Sequence, residues 1–321
     1  MIWLYILAPS LLLITLTIGC CCFFLTCRRK EQVDILDEAA VKGTRYEDRF
    51  PKFLATHTML TAAGMQDVYI KSHDGLKLHA RWIEAENAKA TVLIAHGYRS
   101  HPYIEFGDAI AFYRSMGVNL LLIDQRSHGK SQGKYITLGA NEHRDVLSWL
   151  AYHNSHLAGC PVFLHGLSMG AATVMFTADQ QLPHNLRGII ADCGFTSIHD
   201  ILSHVFKKST HLPAWPFIWV TDLCARLFAG FSIWEKDSRK TMRAPKVPVL
   251  LLHGTADNFV PCYMSRQIFD ACLGDKTLLL VEGAAHAKCF PADPERCSKA
   301  IGAFIEKNLE VTGELRNYQK L

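Results

Sequence analysis

The chain has 321 residues, 49% of them hydrophobic and 20% charged, which is enough apolar material for a large buried core in one or two domains. Its formal net charge is only +4, and no Lys/Arg block interleaves with aromatics, so nucleic acid is not an expected partner. No internal repeat or low-complexity tract interrupts it.

Residues 1–27, MIWLYILAPSLLLITLTIGCCCFFLTC, contain no Asp, Glu, Lys, Arg or His, and Arg28, Arg29 and Lys30 follow at once. At about 1.5 Å per residue, a helix of this length spans the roughly 30 Å of bilayer hydrocarbon. A cleaved signal peptide would carry a positive leader and an apolar core of roughly 7–15 residues. This stretch has neither feature. Thr17-Ile18-Gly19-Cys20 faintly resembles a lipoprotein cleavage box, but the missing N-terminal charge argues against that as well. The expectation is an uncleaved, single-pass transmembrane anchor over 1–27 in the cell membrane. The basic cluster on its C-terminal flank then puts the body of the protein in the cytoplasm.

Eleven cysteines, an odd number without framework spacing, suit reduced thiols. Cys20, Cys21, Cys22 and Cys27 would sit near the inner membrane face, where acylation is chemically open. Small apolar residues in a helix are the simpler reading. Residues 28–60 read as a partly helical juxtamembrane connector.

From about residue 61 to 310 short β-rich runs alternate with helical stretches. QDVYIKSHDGLKLHARWIEA reads as two strands around an Asp74-Gly75 turn. TVLIAHG (91–97), NLLLIDQR (119–126), PVFLHG (161–166), RGIIADCG (187–194), VPVLLLHG (247–254) and TLLLVEG (277–283) are strand-like runs, most of them continuously apolar as in strands covered on both faces. Helical patterns at 104–116, 140–154 and 297–310 lie between or after them, and 311–321 remains as a tail. The fold class is therefore α/β, a mostly parallel sheet with helices on both faces. Its site should lie in the loops at the carboxyl ends of the strands. Residues 196–243 break the alternation. They are rich in Trp, Phe and Leu, with Pro213 and Pro216, and read as a helical cap lining an apolar pocket over the strand ends.

Gly166-Leu167-Ser168-Met169-Gly170 matches G-x-S-x-G between a strand and the helical AATVMFTADQ, the context a nucleophile elbow requires. A serine hydroxyl needs a base, and the base needs a carboxylate to fix its tautomer. In this architecture the order along the chain is Ser, Asp/Glu, His. His286 directly follows the last strand. Two aspartates satisfy the order, Asp192 and Asp257. Asp257 lies one strand nearer His286 in an H-G-x-x-D-x-x-V-P loop and is preferred; a structural role, bonding loop backbone beneath the cap, suits Asp192. Asp124 precedes the serine and is expected to pin a loop together with Arg126. His153 and His156 suit solvated positions. The oxyanion donors are expected to be the backbone N–H groups of Met169, after the nucleophile, and Tyr98, in the loop after an early strand.

With HGYRSH, DQRSHGKSQGK, HGLSMGAA, ADCGFTS, HGTADNFVP and EGAAH in that order, the chain resembles the α/β-hydrolase superfamily over roughly residues 60–310. It is most similar to membrane-anchored bacterial serine hydrolases without an assigned substrate. The resemblance implies an α/β-hydrolase fold with an eight-stranded, mostly parallel sheet, a cap after the sixth strand, and a triad of Ser168, Asp257 and His286. The expected function is a membrane-anchored serine hydrolase of the esterase, lipase or thioesterase kind, acting on a small-molecule or lipid ester through an acyl-enzyme. Alternatives are a serine peptidase, a non-catalytic binding or signalling module on the same fold, and a membrane scaffold. No metal or organic cofactor is implied, since HExxH, paired CxxC and phosphate-cradling motifs are missing from the sequence.

Overall fold

The computed structural model describes residues 2–318 except 32 and 45, with side chains described from 7 to 310 apart from those two. A long helix α1 (Ile2–Cys27) is followed by α2 (Glu38–Val41), a 3₁₀ turn at Glu47–Arg49 and α3 (Phe50–Ala62). The hairpin of β1 (Gln66–Lys71) and β2 (Lys77–Ile83) turns through Gly75, whose φ of +89° is a left-handed conformation open to glycine. β3 (Thr91–Ala95), α4 (Pro102–Ser115), β4 (Asn119–Asp124), α5 (Glu142–His156), β5 (Val162–Leu167), α6 (Met169–Met175) and β6 (Leu186–Asp192) then alternate. A helical insertion follows: α7 (Ile198–Thr210), α8 (Trp215–Cys224), a π-helical turn at Ala225–Ala229, and α9 (Ser238–Thr241). The chain closes with β7 (Val249–Gly254), α10 (Tyr263–Ala271), β8 (Lys276–Val281), α11 (Cys289–Ala292) and α12 (Pro294–Tyr318). The closing helix thus starts before the expected 297, with Pro294 at its first turn, and its backbone runs beyond 310.

The eight strands lie in the order β1-β2-β4-β3-β5-β6-β7-β8, with β2 antiparallel to both β1 and β4 and the remaining pairs parallel. Why the central runs read as unbroken apolar stretches is plain from their packing. Val92 and Ile94 face one core with Leu120, Leu122 and Phe163, while Leu93 and Ala95 face the other with Leu121, Ile123 and Leu164. A strand covered on both faces buries every residue, so alternation disappears. The parallel register sets Ala95 beside Gly166, Leu167 beside Asp192, and Gly254 beside Val281. The loops leaving these strands therefore emerge at one edge of the sheet.

The connector is part of the packed body. Phe53 and Leu60 of α3 are buried with Tyr103 and Phe106 of α4, and Lys52 pairs with Asp108 at 2.7 Å. α1 is docked as well. Residues Leu7–Cys27, with a mean hydropathy of 2.2, are long and apolar enough to cross a bilayer by length and composition. Leu11, Leu12 and Leu13 are exposed, whereas Phe23 and Cys27 are buried against the body. A Cβ on Gly19 would lie 2.4 Å from the Val220 Cβ, so only glycine lets α1 and α8 approach this closely. Thr221 donates its hydroxyl to the Gly19 carbonyl at 3.1 Å, and the Ile136 amide donates to the Cys27 carbonyl at 2.7 Å.

Asp124 and Arg126 do pin loops, but not with each other. Asp124 accepts from His79 Nδ1 at 2.7 Å and Arg81 Nη1 at 2.9 Å, whereas Arg126 forks onto Asp145 at 2.6 and 2.7 Å and onto Asp74 at 2.9 and 3.1 Å. Asp124 ends β4 and Arg126 lies two residues on, and the two side chains reach different partners, which spacing alone does not reveal. Burial disfavours the Asp124 charge, yet the His79 hydrogen bond and the Arg81 cation outweigh it and hold the carboxyl below the usual carboxylate range. A depressed native pKa contributes stability above the unfolded value of about 4 and loses it as pH falls further. Asp124→Asn leaves a buried Arg81 cation without its carboxylate, and should lower unfolding free energy by about 3–5 kcal/mol at pH 7. The check is a denaturant melt; a loss under about 1 kcal/mol would show that the pair is replaceable.

His153 differs from the expectation of a solvated position. It is fully buried on the sheet-facing side of α5, its Nε2 2.9 Å from the Thr91 hydroxyl, and burial lowers its pKa, which keeps the ring neutral. His156 is exposed and stacks on Tyr152.

Candidate active site

β5 delivers Ser168 on a turn that few residues tolerate. Its φ and ψ are 56° and −114°, a sparsely populated region for any residue with a side chain. The turn is tight enough that a Cβ on Gly166 would lie 2.1 Å from the Gly170 carbonyl oxygen. One on Gly170 would lie 2.0 Å from that of Ala95. Backbone cannot yield to such contacts, so both glycines of the G-x-S-x-G pattern are sterically required. The Asp192 carbonyl accepts the Ser168 amide at 2.8 Å and fixes the turn to β6.

His286, from the loop after β8, brings Nε2 to 3.0 Å from Ser168 Oγ and Nδ1 to 2.7 Å from Asp257 Oδ2. The remaining oxygen of Asp257 accepts the amides of Phe259 at 2.8 Å and Val260 at 2.9 Å. Burial opposes the charge of Asp257, but hydrogen bonds from His253 and His286, with the Phe259 amide, outweigh it and hold the pKa well below the usual carboxylate range. An ionised Asp257 accepts from Nδ1–H, which leaves the Nε2 lone pair facing the serine hydroxyl. Three side chains distant in sequence therefore form a hydrogen-bonded relay.

The other carboxylate that the chain order permits does not join it. Asp192 is buried with one oxygen lacking any partner among the described residues, and its carboxyl lies against the thiols of Cys193 and Cys289. Burial raises its pKa. It is the main chain of Asp192, at the elbow, that serves the site; the expected side-chain bonds to loop backbone are not made.

The loop His96-Gly97-Tyr98 reaches the same edge, and among the described residues neither the Tyr98 nor the Met169 amide has a hydrogen-bond acceptor. Sequence reasoning missed what holds this loop. Glu105 reaches back from α4 to accept the Gly97 amide at 2.5 Å, and Gln125 brackets buried His96 by donating to its carbonyl and its Nε2. Burial pushes the Tyr98 phenol up to about 12, and its hydroxyl donates to the Thr26 carbonyl of α1 at 2.6 Å.

A cavity of about 570 Å³ opens beside Ser168 and His286. Its walls include Tyr46 and Arg49 of the connector, Tyr98, Phe259 and Lys288, and no residue of the helical insertion. The expectation that the insertion lines the pocket at the serine is thus corrected. The insertion's buried residues, among them Ile198, Ile201 and Ile218, pack with Met169 and Phe176 of the body and with Phe23 of α1. Cys193 places its sulfur within 4.8 Å of ligand atoms of Asp257 and His286, but burial raises its pKa well above the usual thiol value, and a neutral thiol is a poor metal donor.

The fold has counterparts among solved structures. The chain resembles the solved esterase of Pyrococcus furiosus with a TM-score of 0.63 at 24% identity, over 76% of this chain and 91% of that one. A family profile described as serine aminopeptidase, S33, matches residues 86–245. The chain is a member of the α/β-hydrolase superfamily. Among relatives of this hydrolase, the uncharacterized protein YqkD of Bacillus subtilis is 25% identical over 240 residues, covering 74% of this chain and 78% of its own. An uncharacterized membrane protein of Saccharomyces cerevisiae is 25% identical over 202 residues, covering 63% and 66%.

Proposed function

We propose that this α/β-hydrolase is a membrane-anchored serine hydrolase that cleaves carboxylic esters or thioesters through an acyl-enzyme. The observation that carries the reading is the relay from Asp257 through His286 to Ser168 Oγ. His286 takes the hydroxyl proton as Ser168 attacks the acyl carbon, gives it to the leaving group, and then activates the water that releases the acid. Asp257 holds the imidazole in the tautomer that leaves Nε2 free and stabilises its charged form. The amides of Tyr98 and Met169 receive the developing oxyanion. α1 spans the membrane once, and Arg28, Arg29 and Lys30 on its flank keep the hydrolase body on the cytoplasmic side.

The test is labelling of the full-length protein with a fluorophosphonate probe, followed by location of the adduct. Modification at Ser168 is the expected result, with hydrolysis of 4-nitrophenyl esters and acyl thioesters faster than that of aminoacyl anilides. An adduct elsewhere, or none, removes the assignment; anilides cleaved fastest would make the enzyme a peptidase.

A further inference from the structure

Between α1 and the helical insertion runs a groove of about 430 Å³, well apart in its lining from the cavity at Ser168. Cys22 and Leu25 of α1 form one wall, and Leu202, Val205 and Phe206 of α7 with Phe217 of α8 form the other. From Thr17 to Thr26 the α1 wall is ten residues long, about 13 Å from end to end at helical rise. It occupies the half of a bilayer-length helix that adjoins the body.

What surrounds the groove narrows its occupant. Trp215, Trp219, Leu223 and Leu227 recur every four residues along α8 and the π turn, and all are exposed. Such a stripe faces water unfavourably. It lies on the helix that packs against α1, whose own Leu11, Leu12 and Leu13 are exposed. Two helices packed on each other thus both carry exposed apolar residues, and α8 adds tryptophans of the kind that anchor at a membrane interface. A peptide in so apolar a groove would leave backbone amides unpaired; a hydrocarbon chain would not.

The groove and the Ser168 cavity share no lining residue, and Tyr98 links them. At its inner end the Leu25 carbonyl accepts from Arg99 at 2.7 Å and the Thr26 carbonyl accepts from the Tyr98 hydroxyl at 2.6 Å. Tyr98 lines the Ser168 cavity, and its side chain packs in one apolar cluster with Leu202, Val205, Ile218 and Met169. We propose that the groove between α1 and the insertion takes the acyl chain of a bilayer lipid ester, entering sideways from the membrane, with α1 as a wall of the substrate site. This deepens the reading of Ser168 as nucleophile and α1 as a span, and rests on it.

Val205→Trp and Cys22→Trp fill the groove from opposite walls, and Leu12→Trp alters the same helix outside it. With full-length protein in phosphatidylcholine vesicles, the quantity to follow is the ratio of kcat/KM for 4-nitrophenyl dodecanoate over acetate. The ratio should fall by about tenfold or more in both groove variants and stay within about twofold in Leu12→Trp. An unchanged ratio in groove variants that still accept the fluorophosphonate at Ser168 overturns the proposal. Absence of labelling in the wild type would instead remove the nucleophile, and both readings with it. A second measurement needs no variant. Vesicles of phosphatidylcholine bearing a diazirine in one acyl chain should cross-link to Leu202, Val205 or Phe206. Adducts confined to Leu11–Leu13 and Trp219 overturn the groove. So does a hydroxylamine-labile acyl group on Cys21 or Cys22 without lipid adducts, since the occupant would then be the protein's own modification.

Discussion

Replacing Ser168 with alanine is expected to lower kcat on an ester substrate by about a millionfold, with KM changed only modestly. In the proposed mechanism the hydroxyl bonds the acyl carbon, and its neighbours at the elbow, Leu167 and Met169, carry no hydroxyl or thiol to replace it. His286→Ala should lose nearly as much, and the double variant little more, because the serine and its base act as one unit. A residual rate of about 10³–10⁴ over water should survive in all three, since the proposed oxyanion donors are backbone amides that side-chain changes leave in place. Steady-state hydrolysis of 4-nitrophenyl butyrate measures this; a loss under about a hundredfold would mean that Ser168 is not the nucleophile. Stability offers an independent readout. At φ of 56° the residue is strained, so Ser168→Gly should raise the melting temperature relative to Ser168→Ala by relieving about 1–3 kcal/mol of backbone strain. An inactive enzyme that melts higher is the mark of a turn kept strained for its chemistry.

Much of the fold was legible because its strands announce themselves. A run such as Val249–Gly254 is apolar at nearly every position because both faces are covered, and no surface helix has that pattern. The glycines around Ser168 were legible for a steric reason, since Gly166 and Gly170 each stand against a carbonyl oxygen. Chain order admitted both Asp192 and Asp257 without separating them by geometry. Asp192 ends β6 beside the serine's own strand and turns its carboxyl down among thiols, while the longer loop after β7 carries Asp257 to the imidazole.

Less legible was what each apolar residue faces. The Trp, Phe and Leu of residues 196–243 read as a cap lining an apolar pocket over the strand ends, and nothing in their composition points to α1 as the partner of Phe217, Ile218 and Val220. The structure gives them to α1. His153 shows the same limit: a histidine on an amphipathic helix looks solvated until its hydroxyl partner, Thr91, arrives from a strand 62 residues away. Glu105 and Gln125 escaped notice because they serve the site by holding backbone, and no spacing rule records that a glycine amide needs a carboxylate.

Asp257→Asn should lower kcat by about 10⁴ while leaving the fold and Ser168 in place. In the native carboxylate one oxygen takes the Phe259 and Val260 amides and the other takes the His286 Nδ1 proton. Asparagine has only one oxygen. Two backbone donors hold it, so the amide nitrogen turns to His286 and presents hydrogens where an acceptor was. Nδ1 must then accept, its proton moves to Nε2, and the ring points a hydrogen at the serine hydroxyl it should deprotonate. Asp257→Ala removes the orienting group without imposing the wrong tautomer, and should therefore retain at least as much activity as Asp257→Asn despite the larger truncation. If Asp257→Asn keeps more than about a tenth of wild-type kcat, the carboxylate is structural. The pH dependence separates the roles further. Because the native pKa of Asp257 lies below its unfolded value, its contribution to stability is complete above about pH 5 and fades as pH falls below about 4. The stability gap between wild type and Asp257→Asn should accordingly be flat from about pH 6 to 8 and narrow on acidification. Any activity lost between pH 8 and 6 in the wild type must then come from a group other than Asp257.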